Sequence, residues 1–262
     1  MDRSEISSLA HQEHAVAAPV SQRRVVQLTR RLAPSAGGTV LDLGCGEGAW
    51  LLASAAAHPG ARHVGVDTSG PALATARGRS AAQDADVRWV QGDAAAWDEG
   101  PHDAVICVGA SHVFGGLDGT LAAVRRLLRP GGRVLLGDTV WEREPPAPAQ
   151  QALDAGPEDF PDLEGLVDRA LNAGFEVLDG HVSTLEEWDD YEWAWTGALT
   201  RWALSGEGTA KDRAVVREAA RGHRSAWLGG YRRHLGFACL VLQDEQAHED
   251  RGDGSSGGTV SG

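Results

Sequence analysis

The stretch with the clearest chemical meaning is Thr39–Trp50, which reads TVLDLGCGEGAW. An apolar run typical of a buried parallel strand leads into Gly44, Gly46 and Gly48, and a helix follows. Glycines let a ligand approach the main chain without Cβ clashes, and the start of the helix offers unpaired N–H groups. The pattern predicts a nucleotide-type ligand, but the spacing from Gly44 to Ala49 also satisfies the loose dinucleotide fingerprint.

Acidic residues in this loop indicate the charge of the ligand. Asp42 lies two residues before Gly44, and Glu47 lies inside the loop. A pyrophosphate would face carboxylates at close range, whereas an ammonium or a sulfonium would be stabilised there. The loop therefore favours S-adenosylmethionine, which carries both cations, over a dinucleotide.

Two motifs resemble those of a known enzyme family. Asp42–Gly48 fills every defined position of the first motif of the class I S-adenosylmethionine-dependent methyltransferases, and Leu128–Gly132 (LRPGG) is similar to a later phrase of that family. The resemblance covers roughly residues 14–242. It implies methyl transfer from S-adenosylmethionine, with S-adenosylhomocysteine as product.

Within that family, three further runs resemble a bacterial small-molecule branch whose substrates are poorly defined. They are Gly109–Gly116, Gly137–Trp141 and Trp188–Glu192. The branch often has Glu where this chain has Asp138 and Trp where it has His112. The substrate of any one member therefore does not transfer to this chain.

Acidic residues at strand ends extend the predicted cofactor site. Asp67 ends the second strand 19 positions beyond Gly48, a spacing that suits a carboxylate accepting both ribose hydroxyls; a helix-capping role is the alternative. The resemblance implies that Asp93 accepts the adenine amino group, and a plain turn is the alternative. The residues predicted to bind the cofactor are Asp42, Gly44, Cys45, Gly46, Gly48, Trp50, Asp67, Thr68, Asp93, Ala94, Gly109 and Ala110.

A general base is needed only if the methyl acceptor is a hydroxyl or a protonated amine. Asp138 is the first candidate because it leaves the fifth strand at the end where the cofactor's methyl group should lie; a structural capping role is the alternative. His112 follows the fourth strand and could equally be a hydrogen-bonded structural residue. The predicted catalytic residues are Asp138, His112, Glu192 and His14.

A cap rich in tryptophan is predicted over residues 184–235. Its aromatic residues recur at helical spacing, which indicates either core packing or a substrate wall. Residues 201–234 contain eight Arg or Lys against three Asp or Glu, which suggests an anionic acceptor or, alternatively, a solvated helix face. The residues predicted to bind the substrate are Ser111, Trp141, Trp188, Tyr191, Trp195 and Arg224.

The order of strand and helix patterns predicts an α/β fold of the Rossmann-like, doubly wound type with seven strands. The resemblance to the class I methyltransferases implies that the sheet is mostly parallel, with an antiparallel last strand. N-terminal helices and a helical cap insertion complete it. The expected division is an N-terminal helical segment (1–35), an S-adenosylmethionine-binding core (36–183), the cap (184–235), the last strand (236–243) and a disordered acidic and Gly/Ser-rich tail (244–262).

The bulk composition narrows the choice of partners. A formal net charge of -13 argues against nucleic acid or an anionic membrane as the main partner and favours a small-molecule methyl acceptor. The composition of the cap suggests that this acceptor is anionic or aromatic. No run is long and apolar enough to cross a bilayer. Cys45, Cys107 and Cys239 are scattered, so neither a disulfide framework nor a metal site is indicated, and a cytoplasmic location is expected.

Two other functions remain compatible with the sequence. A non-catalytic protein that binds S-adenosylmethionine or S-adenosylhomocysteine would carry the same acids as the enzyme. An NAD-dependent oxidoreductase would have to bind NAD more tightly than S-adenosylhomocysteine, against the charge of the loop. The sequence does not indicate the oligomeric state.

Overall fold

The computed structural model describes residues 3–11, 14 and 16–245. Nearly all of the predicted tail, residues 246–262, lies outside the described residues. The strands in chain order are β1 (Thr39–Leu43), β2 (Arg62–Asp67), β3 (Val87–Gln91), β4 (His102–Val108), β5 (Leu128–Trp141), β6 (Phe175–Val182) and β7 (Leu235–Asp244).

These strands form one seven-stranded sheet in the order β3-β2-β1-β4-β5-β7-β6. Neighbouring strands are parallel except at β7, which pairs antiparallel with both β5 and β6. The predicted fold class is therefore confirmed. The strand order reverses between β1 and β4, and ligands of such sheets bind at the carboxyl ends of the strands near that point.

Helices cover both faces of the sheet and one end. They are α1 (Arg3–Ala10), α2 (Gln22–Thr29), α3 (Ala49–Ala57), α4 (Gly70–Ala82), α5 (Leu117–Leu127), α6 (Ala147–Leu153), α7 (Leu163–Asn172), α8 (Leu185–Leu204) and α9 (Ala210–Ala226). A π-helical turn, Trp227–Tyr231, connects α9 to β7. None of the described helices combines the length and the apolar character needed to cross a membrane.

The core divides along the two faces of the sheet. On one face, alternate residues of β5 such as Val134 and Leu136 pack with α5 and α7. On the other face, Leu135 packs in a cluster that includes Trp50 of α3 and Trp188 of α8. A smaller cluster joins α1, α8 and α9, and its buried residues are Ala10, Leu199, Ala203, Val216 and Ala220.

The start of α8 is fixed by a capping box. The Thr184 hydroxyl accepts a hydrogen bond from the Glu187 N–H, and the Glu187 carboxylate accepts one from the Thr184 N–H. Glu187 also accepts a hydrogen bond from the Ser21 N–H, at 2.9 Å. The first turn of α8 is therefore tied to the segment that precedes α2.

Two local expectations are corrected by the structure. Asp138 lies inside β5, opposite Ala238, and not beyond the strand end, because β7 extends the pairing of β5 as far as Trp141. The prolines of Pro145–Pro148 predict a loop after β5, but this stretch begins α6, with Pro146 as its N-cap residue and a proline in its first turn. Proline is favoured in the first turn of a helix, where its missing N–H would have no partner in any case.

Candidate functional site

The glycine loop between β1 and α3 has the backbone that its sequence predicts. Gly44, Gly46 and Gly48 have φ values of 75°, 51° and 81°. A Cβ on Gly44 would lie 2.7 Å from the Cβ of Ala110, and one on Gly48 would lie 2.4 Å from the ring of Trp89, whereas one on Gly46 would meet nothing within 4 Å. The outer glycines therefore permit close packing, and Gly46 borders open space.

Asp42 is a buried carboxyl group directly beneath this loop. Its side chain is 2% exposed, and its Oδ2 atom has no hydrogen-bond partner. Burial, together with the nearby charge of Asp67, raises the pKa of Asp42 to about 8. A buried carboxyl group beside a second carboxylate is stabilised in its ionised form by a nearby cation. The arrangement fits a cationic ligand, such as the amino-acid end of S-adenosylmethionine.

Asp67 at the end of β2 is held in a fixed orientation. Its Oδ2 atom accepts a hydrogen bond from the Gly46 N–H at 2.8 Å, and its Oδ1 atom accepts one from the Ser69 N–H at 2.8 Å. Each oxygen retains a second lone pair, so the carboxylate can still accept hydroxyl donors. The same contact joins the end of β2 to the glycine loop.

The end of β3 lies beside that of β2. Gly92 donates its N–H to the Asp67 carbonyl at 3.0 Å, and the exposed side chain of Asp93 caps a short 3-10 turn by accepting from the Ala95 N–H. Ala94 is buried, whereas Thr68 after β2 is exposed. The three predicted strand-end acids thus lie at the carboxyl edge of adjacent strands.

The remaining predicted cofactor residues are near the loop. Cys45 donates its N–H to the Val66 carbonyl, and burial raises the pKa of its thiol, which keeps the thiol protonated. Trp50 is 7% exposed and packs in the core. After β4, Gly109 has φ +70° with nothing within 4 Å of its Cβ position, and Ala110 packs on Gly44.

The residues after β4 meet Asp138 of β5. The Oδ1 atom of Asp138 accepts from the Thr139 N–H at 2.8 Å. Burial raises the pKa of Asp138, while the hydrogen bond from Ser111 and the imidazole of His112 act in the opposite direction. Asp138, Ser111 and His112 therefore form one group.

A second polar group lies in the cap, around the buried Glu192. Glu192 accepts a hydrogen bond from the Tyr231 hydroxyl at 2.6 Å and pairs with His223 Nε2 at 2.7 Å. The ring of His223 stacks on Trp195, with 3.8 Å between ring centroids. Glu192 is one of the predicted catalytic residues, whereas His223 and Tyr231 were not predicted from the sequence. One feature of the sequence could have indicated them: Glu192 lies within an aromatic stripe of a predicted helix, and an acid buried there needs hydrogen-bond partners.

The N-terminal segment adds two imidazoles to this region. His11 Nε2 lies 3.2 Å from the Tyr191 hydroxyl, and the ring of His14 meets that of Tyr191 edge-on at 5.2 Å. His14 also hydrogen-bonds the Val16 carbonyl through Nδ1. The structure therefore brings His14 and Tyr191 together next to Glu192.

The other predicted substrate residues have contacts of several kinds. Trp141 is buried, and its indole N–H donates to the Gly156 carbonyl at 3.1 Å. Trp188 is buried against the rings of Tyr191 and Tyr231. Arg224 lies over the ring of Trp193 and donates to the Thr200 hydroxyl, so its described partners are not those of Glu192. Contact between these side chains and a substrate stays a prediction.

Metal chemistry has no candidate site in the described part of the chain. Among residues 3–11, 14 and 16–245, no group of three or more His, Cys, Asp or Glu side chains could hold a metal ion.

The chain is similar to one protein family and to several known proteins. Residues 40–132 match a family described as a methyltransferase domain. The YjhP protein of Escherichia coli strain K12 is 32% identical over 210 residues, which are 77% of this chain and 83% of YjhP. A trans-aconitate 2-methyltransferase of Paracidovorax citrulli is 28% identical over 231 residues, covering 84% of this chain and 86% of that enzyme.

A solved structure is similar over nearly its whole length. The S-adenosylmethionine-dependent methyltransferase of Geobacter sulfurreducens, crystallised with S-adenosyl-L-homocysteine, has a TM-score of 0.83 at 28% sequence identity. The match covers 91% of this chain and 97% of that one.

Proposed function

This chain belongs to the class I S-adenosylmethionine-dependent methyltransferases, and we propose that its methyl acceptor is a small molecule. Its cofactor is S-adenosylmethionine, which supplies, when bound, a methyl group activated by a positively charged sulfur. The main evidence for the cofactor site is the buried carboxyl group of Asp42, which has an oxygen without a hydrogen-bond partner. It lies beneath the glycine loop, at the point where the strand order of the sheet reverses.

We assign the cofactor contacts to the strand-end acids. Asp42 faces the ammonium, Asp67 accepts the ribose hydroxyls, and Asp93 accepts the adenine amino group. This assignment is supported by the fixed orientation of the Asp67 carboxylate and by the alignment of the three acids along one edge. Open space at Gly46 leaves room for the ligand against the main chain.

The protein's part in the reaction is to align the acceptor with the methyl group and to exclude water. Alignment of this kind can supply about 7–11 kcal/mol of the barrier. We propose that residues 184–235 provide the cover for this purpose, since α8 and the turn before β7 pack with Trp50 of the glycine-loop helix in one core cluster.

Several observations support a small acceptor. The net charge of -13 opposes binding of a nucleic-acid backbone. The related enzyme of Paracidovorax citrulli is named for a small carboxylic acid. The imidazoles of His11 and His14 and the ring of Tyr191 suit an anionic or aromatic molecule. A cytoplasmic location stays a prediction, and the comparisons offer no support for a non-catalytic role.

Asp138 stays a predicted proton acceptor on the sheet side of the site. Burial raises the pKa of Asp138, which makes its carboxylate a stronger base than an exposed one. Asp138→Asn should then lower methyl transfer while S-adenosylhomocysteine still binds. Unaltered turnover in that variant would leave Asp138 only a structural role.

The function is tested in two steps. Calorimetry should show binding of S-adenosylhomocysteine, and weaker or no binding of NAD; tighter binding of NAD would overturn the cofactor site. The protein is then incubated with S-adenosylmethionine carrying a ¹³C-methyl group and with panels of tricarboxylates, fatty acids and aromatic hydroxy compounds. A ¹³C-methyl product from one panel supports the proposal, whereas labelling only of added RNA or protein would contradict it.

A further inference from the structure

The cap contains a buried carboxylate whose two oxygens hold two different side chains. Glu192 is 2% exposed. Its Oε1 atom accepts from the Tyr231 hydroxyl at 2.6 Å, and its Oε2 atom lies 2.7 Å from His223 Nε2. A carboxylate on one ring nitrogen fixes the tautomer of an imidazole and stabilises the imidazolium that forms when the other nitrogen takes a proton.

The other ring nitrogen of His223 is available. Among the described residues, Nδ1 has no hydrogen-bond partner, and the side chain is 31% exposed. Stacking on Trp195 holds the plane of the ring, with an angle of 21° between the two rings. His223 is thus an oriented imidazole with one free, accessible nitrogen.

Topology places this pair over the carboxyl end of the sheet. Tyr231 lies four residues before Leu235, the first residue of β7, and Leu235 pairs with Trp141 at the carboxyl end of β5. The Tyr231 ring also belongs to the core cluster that contains Trp50, the second residue of the helix after the glycine loop. The cap pair and the loop therefore lie at the same end of the sheet.

A chain of contacts also joins the pair to the loop through the N-terminal segment. Tyr191, next to Glu192 in α8, meets the ring of His14, and His14 hydrogen-bonds the carbonyl of Val16. Val16 is buried in the cluster that contains Trp50. Contacts therefore link groups on α8 and the N-terminal segment to the core cluster that contains the start of the helix after the loop.

We propose that His223 is a catalytic residue that removes the proton from the methyl acceptor, and that Glu192 is its positioning residue. The proposal rests on the proposed function. As the acceptor atom bonds to the methyl carbon, its proton passes to His223 Nδ1; the carbon–sulfur bond breaks, and its electron pair stays on sulfur, which becomes neutral. The imidazolium then returns the proton to water.

This role defines the class of acceptor. A carboxylate is already ionised at neutral pH and needs no base, whereas a hydroxyl or an ammonium must lose a proton. The pair therefore indicates an acceptor with a hydroxyl or amino group as its nucleophile. An anionic group elsewhere on that molecule remains compatible with the imidazoles of His11 and His14.

Another carboxylate–imidazole pair shows what a structural role looks like. His181 Nε2 lies 2.9 Å from Glu187 Oε2, but the His181 side chain is only 7% exposed. Glu187 is occupied by the capping box of α8 and by the Ser21 N–H. Because the two pairs share their chemistry and differ in access, His181→Gln is the matched control for His223→Gln.

The first test is a crystal structure of the full chain with S-adenosylhomocysteine, which needs no identified acceptor. During methyl transfer the acceptor atom must lie about 3 Å from the methyl carbon and about 3 Å from the base. His223 Nδ1 should therefore lie roughly 6 Å from the position that the methyl group would occupy on the sulfur. A distance beyond about 9 Å, too long for one bridging water, overturns the proposal. S-adenosylhomocysteine in the loop with a distant His223 would leave the proposed function intact.

The second test separates positioning from structure. Imidazole ¹⁵N NMR should show His223 as one neutral tautomer, with the proton on Nε2 and none on Nδ1. The His223 signals are assigned by their loss in His223→Gln. Glu192→Gln should abolish that preference and Glu192→Asp should largely restore it, with S-adenosylhomocysteine affinity unchanged within about threefold. A tautomer unaffected by Glu192→Gln contradicts the positioning role.

With an acceptor from the panels, His223→Gln should lower kcat about 10²–10⁴-fold, the usual contribution of a general base. Its melting temperature should stay near that of His181→Gln, whose kcat should be close to wild type. Full turnover in His223→Gln, or an equal loss in both variants, overturns the proposal. If Asp138→Asn alone loses activity, the base is Asp138 and not His223.

Discussion

At the scale of single residues, Asp42 links cofactor binding to pH. In the free protein its pKa is raised to about 8, so the carboxyl group is mostly protonated at pH 6 to 7. A cationic ligand favours the ionised form, and binding must then release a proton. We therefore expect the affinity for S-adenosylhomocysteine to rise with pH between 6 and 8, by at most about tenfold per pH unit.

Calorimetry at pH 6, 7 and 8, in two buffers of different ionisation enthalpy, measures both the affinity and the proton release. Asp42→Asn should bind more weakly at pH 8 and lose most of the pH dependence. The control is Asp93→Asn, an exposed site, where the affinity should change by a similar factor at each pH. A wild-type affinity that is flat over this range would show that no cation faces Asp42.

The same residue should lower the stability of the free protein as pH rises. The pKa of Asp42 is about 8 when folded and near 3.8 when unfolded, so between pH 4 and 8 the folded chain retains a proton that the unfolded chain releases. Its favourable contribution is complete below pH 4 and is lost as pH approaches 8. Asp42→Asn lacks this dependence.

We therefore expect the melting temperature of Asp42→Asn, relative to wild type, to increase steadily from pH 5 to pH 8 without cofactor. Calorimetric or fluorescence melts of both proteins in matched buffers give this difference directly. A difference independent of pH would mean that Asp42 ionises normally in the folded protein. If Asp42→Asn is more stable than wild type yet binds the cofactor less well, then Asp42 serves binding at a cost in stability.

At the scale of elements, the glycine loop allows two matched substitutions. Ala at position 48 must adopt φ near 81° and place its Cβ 2.4 Å from Trp89, so Gly48→Ala should destabilise the fold. Ala at position 46 meets no protein atom within 4 Å, and its left-handed backbone costs about 1–2 kcal/mol. Its Cβ would instead enter the space assigned to the cofactor.

The two substitutions should affect cofactor binding and stability separately. Gly46→Ala should lose most of its affinity for S-adenosylhomocysteine with a small change in melting temperature, whereas Gly48→Ala should lose several degrees. Thermal melts with and without the ligand measure both. If S-adenosylhomocysteine raises the melting temperature of wild type and Gly46→Ala equally, Gly46 does not border the bound ligand.

Sequence predicted most elements because their signals are local. The loop glycines follow β1, and Asp42 and Asp67 lie near the ends of β1 and β2. These strands are read directly from apolar runs, and their parallel order then brings their ends together. The length of β5 was not predictable, because it depends on pairing with a strand about 100 residues later. The partners of Glu192 were missed for the same reason, since His223 is 31 and Tyr231 39 residues away.

At the scale of the whole molecule, packing is uneven. Both faces of the sheet have extensive buried clusters, whereas the cluster that joins α1, α8 and α9 consists of five buried residues, three of them alanines. Regions with few buried apolar contacts open more readily than the core. The part of the cap that packs through this small cluster, the second half of α8 together with α9, is therefore expected to open first, which would let a substrate enter and leave without unfolding the sheet.

Leu199→Ala tests this expectation, because Leu199 is fully buried and is the largest buried side chain among the five. A cavity there should cost about 2–5 kcal/mol. Hydrogen exchange followed by mass spectrometry should then show faster exchange in α1, α8 and α9 and little change in β1, β4 and β5. Leu135→Ala, in the sheet core, is the control and should accelerate exchange throughout. If Leu199→Ala also accelerates exchange across the sheet, cap and sheet unfold as one unit, and substrate access must come from a smaller movement.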